Sequence, residues 1–323
     1  MRNFWKELQK PFTALAPMED VTDVVFRTIV AECGRPSVFF TEFTNADGMF
    51  SPGREKVIQR LKFNKNEKPI VAQIWGKRPE SYFKAAYEVT EMGFDGVDIN
   101  MGCPVAKIVK QGACSALIDN PSLAKEIIHA TKEGTKNRIP VSVKTRIGFK
   151  SKKTEVWGEF LLQQGVQALT IHPRLAKDLS KYPADWNEVK KIVEIRDRLE
   201  SDTVVIGNGD VTEKKQIKEF AEKFKVDGIM VGRGIFTDPF IFHPTKTFSD
   251  LNQEQKLNLM LKHVRLFERT WGKDKNFHIL RRFLKIYCSG FDNAQALRVK
   301  LMQTESVADV EEIVKQQQAN QMS

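Results

Sequence analysis

The sequence has no C-x-x-C pair and no ligand-spaced group of histidines. Its four cysteines (Cys33, Cys103, Cys114, Cys288) and five histidines are scattered along 323 residues. A zinc site is therefore not expected, and the cysteines read as thiols, three of them as small buried hydrophobes. No apolar run is long enough to cross a bilayer. The segment Met1 to Pro11 lacks the apolar stretch of a signal peptide, so a cytoplasmic protein with no membrane partner is expected. An early G-x-G-x-x-G, the mark of a dinucleotide-binding doubly wound sheet, is also missing.

What is present is an ordinary globular composition, 41% hydrophobic, with a net charge of +10. That charge favours polyanionic partners, nucleic acid first, although plain solubility accounts for it equally well. Eight apolar strand-like runs recur: Thr13–Met18, Ser37–Phe43, Ile70–Trp75, Gly96–Met101, Val141–Arg146, Ala168–His172, Val204–Asn208 and Gly228–Gly232. Amphipathic segments such as Pro79–Met92, Ser122–Lys132, Trp157–Gln164 and Lys214–Phe224 separate them. Strand alternating with helix over this length predicts a (β/α)8 TIM barrel across residues 1–244. After Pro244 only helical periodicity remains (Gln253–Thr270, Phe277–Cys288, Ala294–Leu301, Val307–Gln318), which predicts an all-helical domain across 245–323. Between Thr245 and Lys300 stand 12 Lys/Arg against 5 Asp/Glu.

Polar residues gather at the strand ends, where a barrel interior should be apolar, so those ends mark the active face. The run Asp98-Ile-Asn-Met-Gly-Cys-Pro104 stops a strand on Pro104 and delivers Cys103 to a loop, making it the first catalytic candidate. An ordinary thiol is mostly protonated at neutral pH, and no histidine stands near in sequence, so general acid is the preferred role. The clusters Gly207-Asn208-Gly209-Asp210 and Gly232-Arg233-Gly234 suit a cofactor phosphate, the competing reading being turn punctuation. Lys144 is placed to balance the charge of a reduced flavin, and Gln73 to meet its pyrimidine edge. Met18 suits a flat ring, or simple core packing.

Taken together, Ala14–Asp23, Asp98–Pro104, Val143–Gly148, Ile171–Arg174, Gly207–Val211 and Val231–Gly234 resemble the tRNA-dihydrouridine synthases in order and spacing. The resemblance runs from about residue 11 to 243, and the basic helical tail is similar to that family's tRNA-binding domain more loosely. It implies an FMN enzyme that reduces the C5–C6 bond of selected uridines in tRNA, with NADPH as electron donor. Ala16, Pro17, Met18, Gln73, Lys144 and His172 would line the flavin. Asn208, Gly209, Asp210, Gly232 and Arg233 would hold ribityl and phosphate. Cys103 would protonate C5 while hydride reaches C6, with Asn100, Arg146 and Arg174 near the substrate base. The chain departs from the family's usual pattern at Pro173 and at Phe149–Lys153.

Arg281, Arg282 and Lys285 are candidates for tRNA phosphate contacts, against the reading of a solvated helix face. Val105–Gly112 reads either as a lid hinged at Gly112 or as an ordinary loop. A monomer is expected. Two rival functions remain on sequence grounds: an FMN-barrel reductase for a free pyrimidine or small enone, and a non-catalytic RNA-binding protein on a decayed barrel.

Overall fold

The structure is a computed structural model that describes residues 3–319; the outer ends of the two expected domain ranges, 1–2 and 320–323, lie outside the described residues. The strands are β1 (Phe12–Leu15), β2 (Phe39–Phe40), β3 (Thr44–Asn45), β4 (Ile70–Trp75), β5 (Gly96–Met101), β6 (Val141–Arg146), β7 (Ala168–His172), β8 (Val204–Asn208) and β9 (Gly228–Val231). They pair in the order β1-β9-β8-β7-β6-β5-β4-β2, all parallel, with β3 continuing the pairing along β4. A parallel bridge between Ala14 and Val38 brings β1 back to the segment leading into β2 and closes the ring. Leaving aside two-residue β3, the architecture is the eight-stranded (β/α)8 barrel that the alternation predicts.

Five of the predicted strands match to the residue: β4 to β8. The second shortens to Phe39–Phe40; beyond it the Gln73 backbone N–H donates to the Thr41 hydroxyl at 3.2 Å in place of a ladder carbonyl. The helices Val24–Cys33 and Trp186–Arg198 are additions to the sequence reading.

Period-two alternation sorts each strand into inward and outward faces. Inward residues near the strand starts (Phe12, Ala14, Val38, Phe40, Val71, Ala168, Val204, Ile206, Met230) form one apolar cluster with Phe4 and Trp5. Trp5 is fully buried, its ring 5.8 Å from Phe12 and 6.2 Å from Phe40. The segment Phe4–Lys6 thus plugs the N-terminal end of the barrel. Further along the same inward rows the residues turn polar: Gln73, Asp98, Asn100, Ser142, Lys144, Thr170, His172, Asn208. One end is dry and filled; the other is polar and opens into the strand-to-helix loops.

The chain divides into two compact units, Met1–Val24 with Pro36–Gly232, and Val25–Arg35 with Arg233–Ser323. The sequence reading instead drew one boundary after residue 244. In the second unit the helices Val24–Cys33, Gln253–Trp271 and Arg281–Tyr287 share an aromatic core. Phe26 lies 4.8 Å from Phe283 between ring centres, and His263 Nδ1 lies 2.8 Å from the Tyr287 hydroxyl. Among the described residues, no helix is long and apolar enough to cross a membrane.

Candidate active site

Cys103 follows β5 in a loop that two side chains hold. Asn100 Oδ1 accepts from the backbone N–H groups of Gly102 and Cys103, each at 3.0 Å. Arg146, at the end of β6, donates through Nε to the Gly102 carbonyl at 2.9 Å. Its Nη1 reaches the carbonyls of Leu175 (3.2 Å) and Leu179 (2.7 Å), tying the cysteine loop to the loop after β7. Cys103 is half-buried, whereas Cys33, Cys114 and Cys288 are buried, as three of the four were expected to be.

The Cys103 thiol is not at its ordinary value. A hydrogen bond from the Cys114 thiol draws it from 9.0 down to about 7, against burial and aided by a Val105 backbone hydrogen bond and the Arg146 charge. This corrects the expectation of an untuned thiol. A proton donor whose pKa lies near the working pH is better matched to general acid catalysis than an unperturbed one.

Beneath the loop the inward rows of β4, β5 and β6 form a polar floor. Asp98 accepts from Gln73 Nε2 at 2.7 Å and from Ser142 Oγ at 2.6 Å, and Gln73 Oε1 accepts from Asn100 Nδ2 at 2.9 Å. Burial raises Asp98 to about 6, opposed by those two donors and by Lys144. Burial, then Arg146, pushes Lys144 down to about 8, while Asp98 and Cys103 oppose the shift. Burial thus pushes both groups toward their neutral forms, while their mutual attraction favours the charged ones.

The opposite wall comes from β7, β8 and β9. Gly207 has no room for a side chain, since a Cβ there would lie 2.2 Å from the Trp186 ring. Trp186 Nε1 in turn donates to the Gly209 carbonyl at 3.0 Å, and Gly209 sits at φ +143°, a conformation open to glycine. A Cβ on Gly232 would have Ala16 Cβ at 3.8 Å and both Asn208 Nδ2 and Met18 Sδ at 4.0 Å. Ala16, Met18, Asn208 and Gly232 therefore converge on one hollow at the barrel mouth.

Comparison with known proteins decides the family. The dihydrouridine synthase (Dus) family model matches residues 14–323. The chain belongs to the dihydrouridine synthase family. A probable tRNA-dihydrouridine synthase of Staphylococcus aureus (strain COL) is 44% identical over 311 residues, covering 95% of this chain and 93% of that one. Probable tRNA-dihydrouridine synthase 2 of Bacillus subtilis (strain 168) is 44% identical over 313 residues, covering 95% and 94%. Among solved structures, a histamine dehydrogenase from Rhizobium sp. 4-9 superposes with a TM-score of 0.53 at 13% identity, over 79% of this chain and 48% of that one. A 2-naphthoyl-CoA reductase gives 0.55 at 10%, over 71% and 49%. At such identities the structural likeness speaks for the fold alone.

Within this dihydrouridine synthase, Cys103, Asn100, Gln73, Lys144 and Arg146 meet at one end of one barrel, with Ala16, Pro17, Met18, His172, Asn208, Gly209, Asp210 and Gly232 on the strand ends and loops around the same mouth. Three of the four arginines expected at the substrate, Arg146, Arg174 and Arg281, have named protein partners. Arg146 spans the two loops already named. Arg174 donates to Asp210 (2.5 and 2.6 Å) and to the Tyr182 carbonyl (2.6 Å), and its Nη1 lies 2.9 Å from His172 Nε2. Arg281 caps the Thr304 carbonyl at 2.8 Å and pairs with Glu305 at 2.5 Å. Arg282 and Lys285 are exposed, and Arg233 opens the short 3-10 helix Arg233–Phe236. The expected lid carries a four-residue helix, Ala106–Val109.

Asp98, Ser142 and Cys114 were not selected from the sequence. Asp98 and Ser142 had a legible signal: polar residues on the inward parity of buried strands, two positions before Asn100 and Lys144. Cys114 had none, because its approach to Cys103 depends on how the loop returns.

Proposed function

We propose that this enzyme is a cytoplasmic tRNA-dihydrouridine synthase that binds FMN in the barrel and uses NADPH to reduce the C5–C6 double bond of particular uridines. The barrel would be the FMN-binding catalytic domain and the helical unit the tRNA-binding domain. The observation that carries this reading is Lys144 beside Cys103 at the polar mouth. Among the described residues its ammonium has no hydrogen-bonding partner, and the buried Thr170 Oγ1 on the neighbouring strand has none either. A cation without a protein partner at the open polar mouth fits a ligand with a negative, acceptor-rich edge.

FMN bound there would supply hydride to uracil C6. Cys103 would give its proton to C5. Lys144 would offset negative charge at the flavin edge, and Gln73, Met18 and Ala16 would lie along the ring. His172, Asn208, Gly209, Asp210, Gly232 and Arg233 would receive ribityl and phosphate. Asn100 retains one Nδ2 hydrogen for the base, and Arg146 acts on the base through the loops it ties. The uridine has to leave its stack to reach this pocket, and the exposed Arg282 and Lys285 supply charge for the tRNA backbone.

The test is direct. Cys103→Ala should purify with FMN and bind tRNA, yet form dihydrouridine on the order of 100-fold more slowly, the usual worth of a general acid. Mass-spectrometric mapping of tRNA from cells with and without the gene checks the activity itself. Unchanged single-turnover reduction by Cys103→Ala would overturn the proton-donor role.

A further inference from the structure

A hydrogen-bond chain runs under the cysteine loop. Ser142 Oγ donates to Asp98 Oδ1, Gln73 Nε2 donates to Asp98 Oδ2, and Asn100 Nδ2 donates to Gln73 Oε1. The N–H groups of Gly102 and Cys103 then donate to Asn100 Oδ1. All four side chains are buried. Such a chain has only one workable polarity. Backbone N–H groups can only donate, so Asn100 must present its oxygen to them and its nitrogen to Gln73. Gln73 must then present its own oxygen to Asn100 and its nitrogen to residue 98. A carboxyl oxygen that accepts from Gln73 is the terminus this sequence of amides requires. Any reversal would set two donors or two acceptors face to face without water.

We infer that Asp98 is a positioning residue: by accepting from Gln73 it fixes the orientation of both amides, and through Asn100 it holds the Gly102–Cys103 loop so that the thiol faces the substrate base. The inference rests on the proposed role of Cys103 as proton donor. Asp98 itself needs no contact with substrate. Its influence travels through two side chains to the backbone of the catalytic residue.

The alkylation rate of Cys103 by iodoacetamide at pH 7, followed by peptide mass spectrometry, tests this without tRNA or turnover. Gln73→Leu removes both the acceptor for Asn100 and the donor to Asp98 and breaks the chain. Gln73→Glu with Asp98→Asn instead keeps the chain with the partners exchanged: the new amide donates to the new carboxylate, which still accepts from Asn100. A displaced loop gives up the hydrogen bonds that favour thiolate, so Gln73→Leu should slow alkylation about fivefold or more. The double variant should return to within about twofold of the wild-type rate. Asp98→Leu, which leaves Gln73 Nε2 with no acceptor, should lower kcat for dihydrouridine formation about tenfold while KM for tRNA stays within about twofold.

An unchanged rate in Gln73→Leu, or a double variant as slow as that single one, overturns the inference, as does a wild-type kcat in Asp98→Leu. If the wild-type enzyme formed no dihydrouridine, the proposed function would fall while the alkylation comparison still reported on Asp98.

Discussion

In the proposed reaction Cys103 must carry a proton to act at C5, yet its strongest neighbour works in the other direction. The hydrogen bond from Cys114 stabilises the thiolate and is the largest cause of the shift to about 7. The protonated fraction therefore falls as pH rises through about 7, and single-turnover reduction should show an alkaline limb there. Cys114→Ala removes that hydrogen bond and leaves burial opposed by the Val105 hydrogen bond and the Arg146 charge, so the limb should move to higher pH. The pH dependence of single-turnover dihydrouridine formation by pre-reduced enzyme measures it; a limb that stays put would mean that Cys114 does not set the proton. The place of Cys103 in a loop at the barrel mouth was legible in the sequence, because a strand ending in Gly-Cys-Pro hands its cysteine to a loop. Its tuning was not, since a thiol's charge state depends on neighbours that chain folding brings in.

At the level of elements, the strands that were read correctly are those flanked by turns and buried on both faces, where apolar residues leave little choice of conformation. The inward polar rows were legible for the same reason, since Gln73, Asn100 and Lys144 interrupt runs that otherwise bury. The arginines were harder. A guanidinium at a strand end reads alike whether it meets a substrate or a returning loop, and Arg146 and Arg174 both meet loops. The turn after β8 shows how such geometry is enforced from behind. Gly207 lets the Trp186 ring press against the strand, and Trp186 packs on Phe220 at 4.8 Å while bonding the Gly209 carbonyl. Gly207→Ala should therefore displace Trp186, lower stability by about 1–3 kcal/mol as overpacking does, and weaken FMN retention through the shifted Gly209 turn. Thermal unfolding and flavin content check the two effects together. Reduced stability with full flavin content would separate the wall from the cofactor.

For the whole molecule, a net charge of +10 on 323 residues invites a reading in terms of nucleic acid, but total charge does not say which side chains are exposed to meet it. The helix Arg281–Tyr287 makes the distinction concrete. Arg281 is engaged with Thr304 and Glu305 inside its own unit, whereas Arg282 and Lys285 point outward from the same helix. If the helical unit holds tRNA by neutralising phosphates, removing one cation should flatten the dependence of log affinity on log salt by about 0.7–0.9. Arg282→Ala with Lys285→Ala should therefore reduce that slope by up to about 1.8, with little change in thermal stability. Arg281→Ala should do the reverse: it frees a buried carbonyl and an acidic partner, so stability falls by about 1–3 kcal/mol while the salt slope stays nearly constant. Filter binding across a salt series, paired with thermal melts of the three proteins, distinguishes the two. Equal slopes in all of them would place the RNA-binding charge elsewhere on the chain.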